Sequence, residues 1–122
     1  MRILVVEDDP LQADVLFHAF RKPGYTVTHE NNGKRADHLL AANEFDVVIL
    51  DLTVPGGMGG RETMEKLLKI DPAVKAIVCS GYSNDPIMTE YAKYGFRGVI
   101  AKPYEPEELG KTLCRIIAGS EE

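Results

Sequence analysis

Short apolar runs alternate along the chain with longer segments in which apolar residues recur at helical spacing. Three of the runs are nearly continuous in Val, Ile and Leu, which is typical of strands buried on both faces of a parallel sheet. The runs are Ile3–Val6, Tyr25–His29, Val47–Leu50, Ala76–Cys79 and Gly98–Ala101. The pattern predicts five strands separated and followed by five helices.

Each segment after a run places apolar side chains three or four residues apart, on one face of a helix. These stripes are Leu11, Val15, Leu16 and Ala19; Ala36, Leu39 and Leu40, with the polar Asn43 at the next position of the same face; Met64, Leu67 and Leu68; Met88, Tyr91 and Ala92; and Leu109, Leu113, Ile116 and Ile117. Asp9-Pro10, Asp85-Pro86 and Glu105-Pro106 predict helix starts, because an acid and a proline both suit a first turn. Gly95 predicts the end of the fourth helix.

Strictly alternating strands and helices predict an open parallel sheet with helices on both faces. Two topologies remain open at this point: the flavodoxin-like strand order 2-1-3-4-5 and half of a Rossmann-like sheet. In both, a site forms beyond the carboxyl ends of the strands, where the strand order reverses. The residues that directly follow each strand are therefore the candidates for function.

Size, charge and thiols narrow the class of protein. The 122 residues fit one domain, assigned to residues 1–118 with a short tail at 119–122, and the formal net charge of −5 argues against a general nucleic-acid surface. No apolar run approaches the roughly 18 residues of a membrane span. Cys79 and Cys114 form no disulfide framework, so we expect two buried, reduced thiols and a cytoplasmic location.

Acidic, hydroxyl and basic side chains follow successive strands. Glu7 and Asp8 come after the first strand, Asp51 after the third, Ser80 after the fourth and Lys102 after the fifth. Carboxylates gathered at one edge repel one another unless a cation intervenes, and Mg²⁺ favours such oxygen ligands. Asp8 and Asp51 suit direct ligation and Glu7 a contact through water. Asp51 also suits a nucleophile toward phosphorus, with Lys102 and Ser80 as partners of the phosphoryl oxygens.

The segments ILVVEDDP, VVILDLTVPGGMGG, AIVCSGYSND and GVIAKPY together resemble the receiver domains of two-component response regulators. The resemblance spans essentially the whole chain and implies the flavodoxin-like (βα)5 fold with order 2-1-3-4-5. It implies that Asp51 is the phosphoacceptor. It also implies a Mg²⁺ site made by Glu7, Asp8, Asp51 and the backbone carbonyl of Thr53.

The resemblance further implies a signalling switch rather than a turnover enzyme, with Ser80 as the switch hydroxyl and Lys102 as the lysine of the motif. One position departs from the family pattern: Val99 stands where an aromatic ring usually turns inward. Thr53 and Tyr82 occupy positions that affect the access of water to the phosphate, and bulky Tyr82 predicts slow autodephosphorylation.

The expected partner is a sensor histidine kinase or a histidine phosphotransfer domain, with no direct binding of nucleic acid. Output is expected through the face of helix 4, strand 5 and helix 5, which carries Tyr91, Tyr94, Phe96 and Arg97. A homodimer through that face is an alternative. A stand-alone regulator and the receiver of a hybrid histidine kinase both stay open.

Two other functions use the same chemistry or fold. A phosphatase of the haloacid-dehalogenase type needs a second acid two residues after the nucleophile, where this chain has Thr53, and its nucleophile follows the first strand. A flavin or nucleotide binder needs a phosphate-holding loop after the first strand, where three acids would repel phosphate. Both are therefore weaker explanations than a phosphoacceptor.

Overall fold

The computed structural model describes residues 2–7, 10–20, 25–30, 38–41, 45–52, 60–81, 86–102 and 105–117. The strands are β1 (Arg2–Val6), β2 (Thr26–Glu30), β3 (Val47–Leu52), β4 (Ala76–Ser80) and β5 (Gly98–Ala101). The helices are α1 (Pro10–Ala19), α2 (38–41), α3 (Gly60–Ile70), α4 (Pro86–Thr89) and α5 (Pro106–Ile117), with a 3-10 turn at Tyr91–Tyr94.

The five strands form one parallel sheet in the order β2-β1-β3-β4-β5. This order confirms the flavodoxin-like prediction and removes the Rossmann-like alternative. β1 pairs with β3 from Ile3 opposite Val47 to Val6 opposite Leu50. The strand order reverses between these two strands, so their carboxyl ends flank the position where this fold places its sites.

Each strand contributes alternate side chains to two cores, one on each face of the sheet. On the α1 side, strand residues such as Ile49 and Ile77 pack with Leu16 of α1 and Leu109 of α5. On the α3 side, strand residues such as Val78 pack with helix residues Leu40, Met64, Leu67, Ile87 and Met88. Because side chains alternate between the two faces along a strand, the core to which a strand's residues belong also indicates the face of the residue that follows the strand.

The predicted apolar stripe of α1 is wrong at two positions. Leu16 is fully buried, together with Phe20 just past the helix, whereas Leu11 is 77% and Val15 52% exposed. Successive residues are rotated by about 100° around a helix, so Val15 lies about 100° and Leu11 about 140° from Leu16. The seam made by Leu16 and Phe20 therefore turns both side chains away from the sheet.

The predicted fourth helix is interrupted. It consists of α4 and the separate 3-10 turn, with Glu90 between them at φ −122° and ψ 37°. Its predicted end is confirmed, because Gly95 adopts the left-handed φ of +94°. A Cβ at this glycine would lie 2.7 Å from Leu68 Cδ1, so a larger residue here would also displace the Leu68 side chain of α3.

The two cysteines differ in exposure. Cys79 is fully buried in the α1-side core, as predicted, and Cys114 is exposed, so the expectation of two buried thiols is wrong for Cys114. Cys114 directly follows the buried Leu113 on α5, and one residue along a helix is a rotation of about 100° away from the core.

Candidate functional site

Asp51 is the next-to-last residue of β3 and is buried at the carboxyl edge of the sheet. Val47 and Ile49, four and two residues earlier, belong to the α1-side core. Alternation along the strand therefore directs the Asp51 carboxylate to the same side. In the neighbouring strand its register partner is Cys79.

Glu7 follows β1 and is as deeply buried as the core residues around it. Ile3 and Val5 lie in the α1-side core, so Glu7 continues that face. Val6 of β1 pairs with Leu50 of β3, and Glu7 and Asp51 are the next residues of these two strands. Glu7 Oε2 and both carboxylate oxygens of Asp51 are closed off from solvent. Two carboxylates on adjacent strands thus face one side of the sheet at the switch point.

Lys102 directly follows β5 and contacts Asp51 from that strand end. Its backbone N–H donates to the Ser80 carbonyl at 2.9 Å, which holds the end of β5 against the end of β4. Its ammonium forms an ion pair with Asp51 Oδ1, and the lysine side chain is 17% exposed whereas that of Asp51 is fully buried. The cation therefore offsets part of the charge repulsion between the buried carboxylates while keeping contact with solvent.

Ser80 ends β4 and is buried, but it belongs to the other face of the sheet. Val78, two residues earlier, lies in the α3-side core, so alternation directs Ser80 to the same side. Val99 of β5 pairs with Val78 and packs partly buried against that core. Ser80 therefore continues the α3-side face of β4, at the strand end beside the acidic site.

The Cys79 thiol lies beneath the acidic site. Burial raises the pKa of this thiol far above its usual range, and the Asp51 carboxylate raises it further. The Lys102 ammonium acts in the opposite direction, and Glu7 adds to the increase. The thiol is therefore protonated, and it lies between the acidic site and the α1-side core.

The structure brings Glu7, Asp51 and Lys102 together and places Ser80 at the adjoining strand end. Asp8 and Thr53, the other predicted metal ligands, lie outside the described residues, as does Tyr82. Buried carboxylates on two neighbouring strands match the oxygen ligands that Mg²⁺ prefers, and these donors fit such an ion. Within the described ranges, no group of three or more His, Cys, Asp or Glu side chains is placed to hold a metal.

Sequence reasoning missed one residue beside the site. His29, interpreted from sequence only as a histidine of the second strand, has Nε2 2.8 Å from the carbonyl oxygen of Glu7. Its position near the end of the strand next to β1 was the available signal. The contact itself depends on the strand register, in which His29 pairs with Val5.

The expected output face is partly buried. Tyr91 and Tyr94 are half-buried against the α3-side core, and Arg97 is exposed. Phe96 is 2% exposed and belongs to that core, so its predicted place on the face is wrong. The Arg61 guanidinium of α3 lies 4.6 Å from the centre of the Tyr94 ring, a cation–π contact.

Fold and site together define a flavodoxin-like domain whose buried acids and strand-end lysine meet at the switch point. A family model for the response regulator receiver domain matches residues 3–114. The chain belongs to this family, whose members act in two-component signalling. Among the described residues, no helix has the length and apolar character required to span a membrane.

Curated relatives are similar over nearly the whole chain. The chemotaxis protein CheY of Thermotoga maritima is 32% identical over 116 residues, which cover 94% of this chain and 96% of that protein. The transcriptional regulatory protein ZraR of Escherichia coli is 29% identical over 95% of this chain but only 26% of its own length. The chain thus spans all but the ends of one relative and about a quarter of the other.

Solved structures agree with the fold. A LuxR-family response regulator from Aurantimonas sp. has a TM-score of 0.86 at 27% identity, covering 98% of this chain and 86% of that one. The response regulator TrrA of Thermotoga maritima in complex with Mg²⁺-BeF has a TM-score of 0.80 at 26% identity, covering 94% and 97%. The receiver domain of the sensor histidine kinase PA1611 of Pseudomonas aeruginosa, with magnesium in its active-site cleft, has a TM-score of 0.78 at 25% identity. The match covers 96% of this chain and 97% of that one.

Proposed function

We propose that this domain is a phosphorylation switch in which Asp51 accepts a phosphoryl group from a phosphohistidine donor. The observation that carries the proposal is the ion pair between the buried Asp51 carboxylate and Lys102 at the switch point of the sheet. A carboxylate paired there with a lysine is held in one orientation. A nucleophile in fixed geometry needs little reorganisation before attack.

The transfer forms a bond between a carboxylate oxygen of Asp51 and phosphorus and breaks the bond between phosphorus and the donor nitrogen. The electron pair of the broken bond leaves with the imidazole of the donor. Lys102 then lies beside an oxygen that has become part of an acyl phosphate, so its ammonium is available to the phosphoryl oxygens. Glu7 keeps negative charge next to the group, which makes a compensating cation necessary.

Mg²⁺ is the cation that we assign to this role, by analogy with the two magnesium-containing structures that the fold resembles. Glu7, Asp8, Asp51 and the backbone carbonyl of Thr53 are the residues that would hold it. When bound, it supplies neutralising charge to the transferring phosphoryl oxygens.

Phosphorylation adds a dianion at Asp51, and we infer that Ser80 and Lys102 reorganise around it. The N–H of Lys102 and the carbonyl of Ser80 are already hydrogen bonded, so movement at either strand end affects the other. Ser80 directs any movement into the α3-side core, where Val99, Tyr91 and Tyr94 pack. The phosphoryl group thereby shifts an equilibrium between two conformations, so the domain acts as a switch rather than as a turnover enzyme.

The proposed donor is a sensor histidine kinase or a histidine phosphotransfer domain. The proposed output surface comprises Tyr91, Tyr94 and Arg97, beside β5 and α5, and a second copy of this chain is an alternative occupant of it. Direct binding of nucleic acid is not proposed, because the net charge is −5. A cytoplasmic location stays a prediction.

Intact-mass spectrometry after incubation with acetyl phosphate tests the proposal. The wild type should gain one phosphoryl adduct with Mg²⁺ and none with excess EDTA, and Asp51→Asn should gain none under either condition. An adduct of equal yield on Asp51→Asn would refute Asp51 as the acceptor. Steady release of inorganic phosphate with rapid turnover would instead indicate a phosphatase.

A further inference from the structure

His29 lies on the edge strand β2, beside the acidic end of β1. Its Nε2 lies 2.8 Å from the carbonyl oxygen of Glu7. A carbonyl oxygen only accepts hydrogen bonds, so Nε2 carries the proton and donates. The residue before Glu7 pairs with Glu30 in the ladder, and the N–H of Glu7 itself donates to the Glu30 carbonyl at 3.0 Å. β2 therefore holds Glu7 by one backbone bond and one side-chain bond.

The hydrogen bond from His29 is made to the carbonyl oxygen of the peptide that joins Glu7 to Asp8. A peptide unit is planar and includes the Cα atoms of both its residues, so a hydrogen bond to its oxygen restrains the rotation of the whole unit. Glu7 and Asp8 are two of the residues proposed to hold Mg²⁺. The His29 ring is thus hydrogen bonded to the backbone segment that contains Glu7 and Asp8.

We propose that His29 is a positioning residue for the Mg²⁺ site. It fixes the Glu7–Asp8 peptide, so the two carboxylates meet the ion without first being ordered on binding. The inference rests on the proposed function, because Mg²⁺ is the ligand that the restraint serves. His29 is not assigned as a ligand, since its Nε2 proton is directed to the Glu7 carbonyl.

Three variants separate this role from a general effect of substitution. His29→Leu removes the donor and replaces the ring with an apolar side chain of similar size. His29→Gln keeps a terminal N–H donor at similar reach. His38→Leu makes the same exchange at an exposed histidine of α2. The measurements are the Mg²⁺ dissociation constant of the unphosphorylated protein by isothermal titration calorimetry, and the urea midpoint without Mg²⁺.

We expect His29→Leu to bind Mg²⁺ about fivefold more weakly than the wild type, the factor expected for one hydrogen bond in a supporting shell. His29→Gln and His38→Leu should stay within about twofold of the wild type, which is below the effect expected for the loss of one such bond. If His29→Leu does not fold, His29→Asn, whose side chain is too short to reach the carbonyl, takes its place. The ¹⁵N spectrum of the wild-type ring should show the proton on Nε2 in the neutral form.

An unchanged Mg²⁺ affinity in a folded His29→Leu variant would overturn the inference, even if its urea midpoint fell, because that combination indicates a purely structural bond. Equal losses in His29→Leu and His29→Gln would overturn the donor role. A proton on Nδ1 would contradict the contact itself. If the wild type bound no Mg²⁺, the proposed function would fail and the inference with it, an outcome distinct from equal affinities in wild type and variant.

Discussion

The Lys102 ammonium reaches the Asp51 carboxylate across β4, which separates the strands that carry the two residues. The Lys102 side chain keeps partial contact with solvent, and the Asp51 side chain has none. The two residues are therefore not equivalent: loss of the lysine leaves a negative charge in a closed site, next to that of Glu7. This asymmetry determines what substitutions in the pair should do.

Lys102→Met should lower the free energy of unfolding at pH 7 by about 3 kcal/mol, because removal of one partner leaves a buried, uncompensated charge. The same substitution in an Asp51→Asn background should cost less by about 1–2 kcal/mol, since the amide carries no charge and only that of Glu7 remains uncompensated. Urea unfolding of the four proteins of this cycle measures the coupling. Equal costs in the two backgrounds would show that the ion pair contributes nothing to stability.

Gly95→Ala should destabilise the fold by about 2–3 kcal/mol, because the residue would have to keep a left-handed backbone and its Cβ would meet Leu68. Gly81→Ala is the matched control: the nearest atom to its Cβ would be Lys102 Cβ at an ordinary 4.0 Å. We expect Gly81→Ala to change the unfolding free energy by less than about 1 kcal/mol. Similar losses for both variants would contradict the role given to Gly95.

The buried thiol of Cys79 should make stability fall at alkaline pH. Because its pKa is raised in the folded state, the thiol ionises first in the unfolded chain. The contribution of the protonated Cys79 thiol to the free energy of unfolding is therefore complete below the ordinary thiol pKa of 9.0, and it decreases as pH rises above that value. The slope approaches about 1.4 kcal/mol per pH unit for one proton. Other groups titrate in this range as well, so wild type and Cys79→Val should be compared between pH 8 and about 11.

In that comparison, the gap, which is the free energy of unfolding of the wild type minus that of Cys79→Val, should decrease as pH rises, because the valine variant lacks the titrating thiol. Chemical denaturation at each pH provides the free energies. A gap that stays constant across the range would contradict a raised pKa for Cys79.

The two thiols should differ in reactivity toward an alkylating reagent. Cys114 is exposed and should react in the folded protein at neutral pH, whereas buried Cys79 should react only after unfolding. Mass spectrometry should find one label per folded chain and two in urea. Labelling of the folded Cys114→Ser variant would show that Cys79 is accessible.

Much of the fold and part of the site follow from sequence patterns with a clear physical cause. Continuous apolar runs predict the strands, and the position of Glu7, Asp51 and Lys102 at strand ends predicts that they meet at one edge of the sheet. Contacts that depend on helix rotation and strand register were not predictable in this way. The sequence does not predict the exposure of Leu11, the burial of Phe96 or the hydrogen bond from His29. Each depends on which side of a helix, strand or loop faces its neighbour. Apolar residues that recur every three or four positions do not determine that side to within one residue.

The central claim is that Asp51 itself carries the phosphoryl group, and chemical mapping tests it most directly. After phosphorylation with acetyl phosphate and Mg²⁺, borohydride reduction converts an acyl phosphate of aspartate to homoserine, which tandem mass spectrometry of peptides locates. The account predicts homoserine at position 51 alone, in amounts that fall in parallel with the adduct when Mg²⁺ is withheld. Reduction at Glu7, Asp8 or any other acid, with position 51 intact, would contradict it.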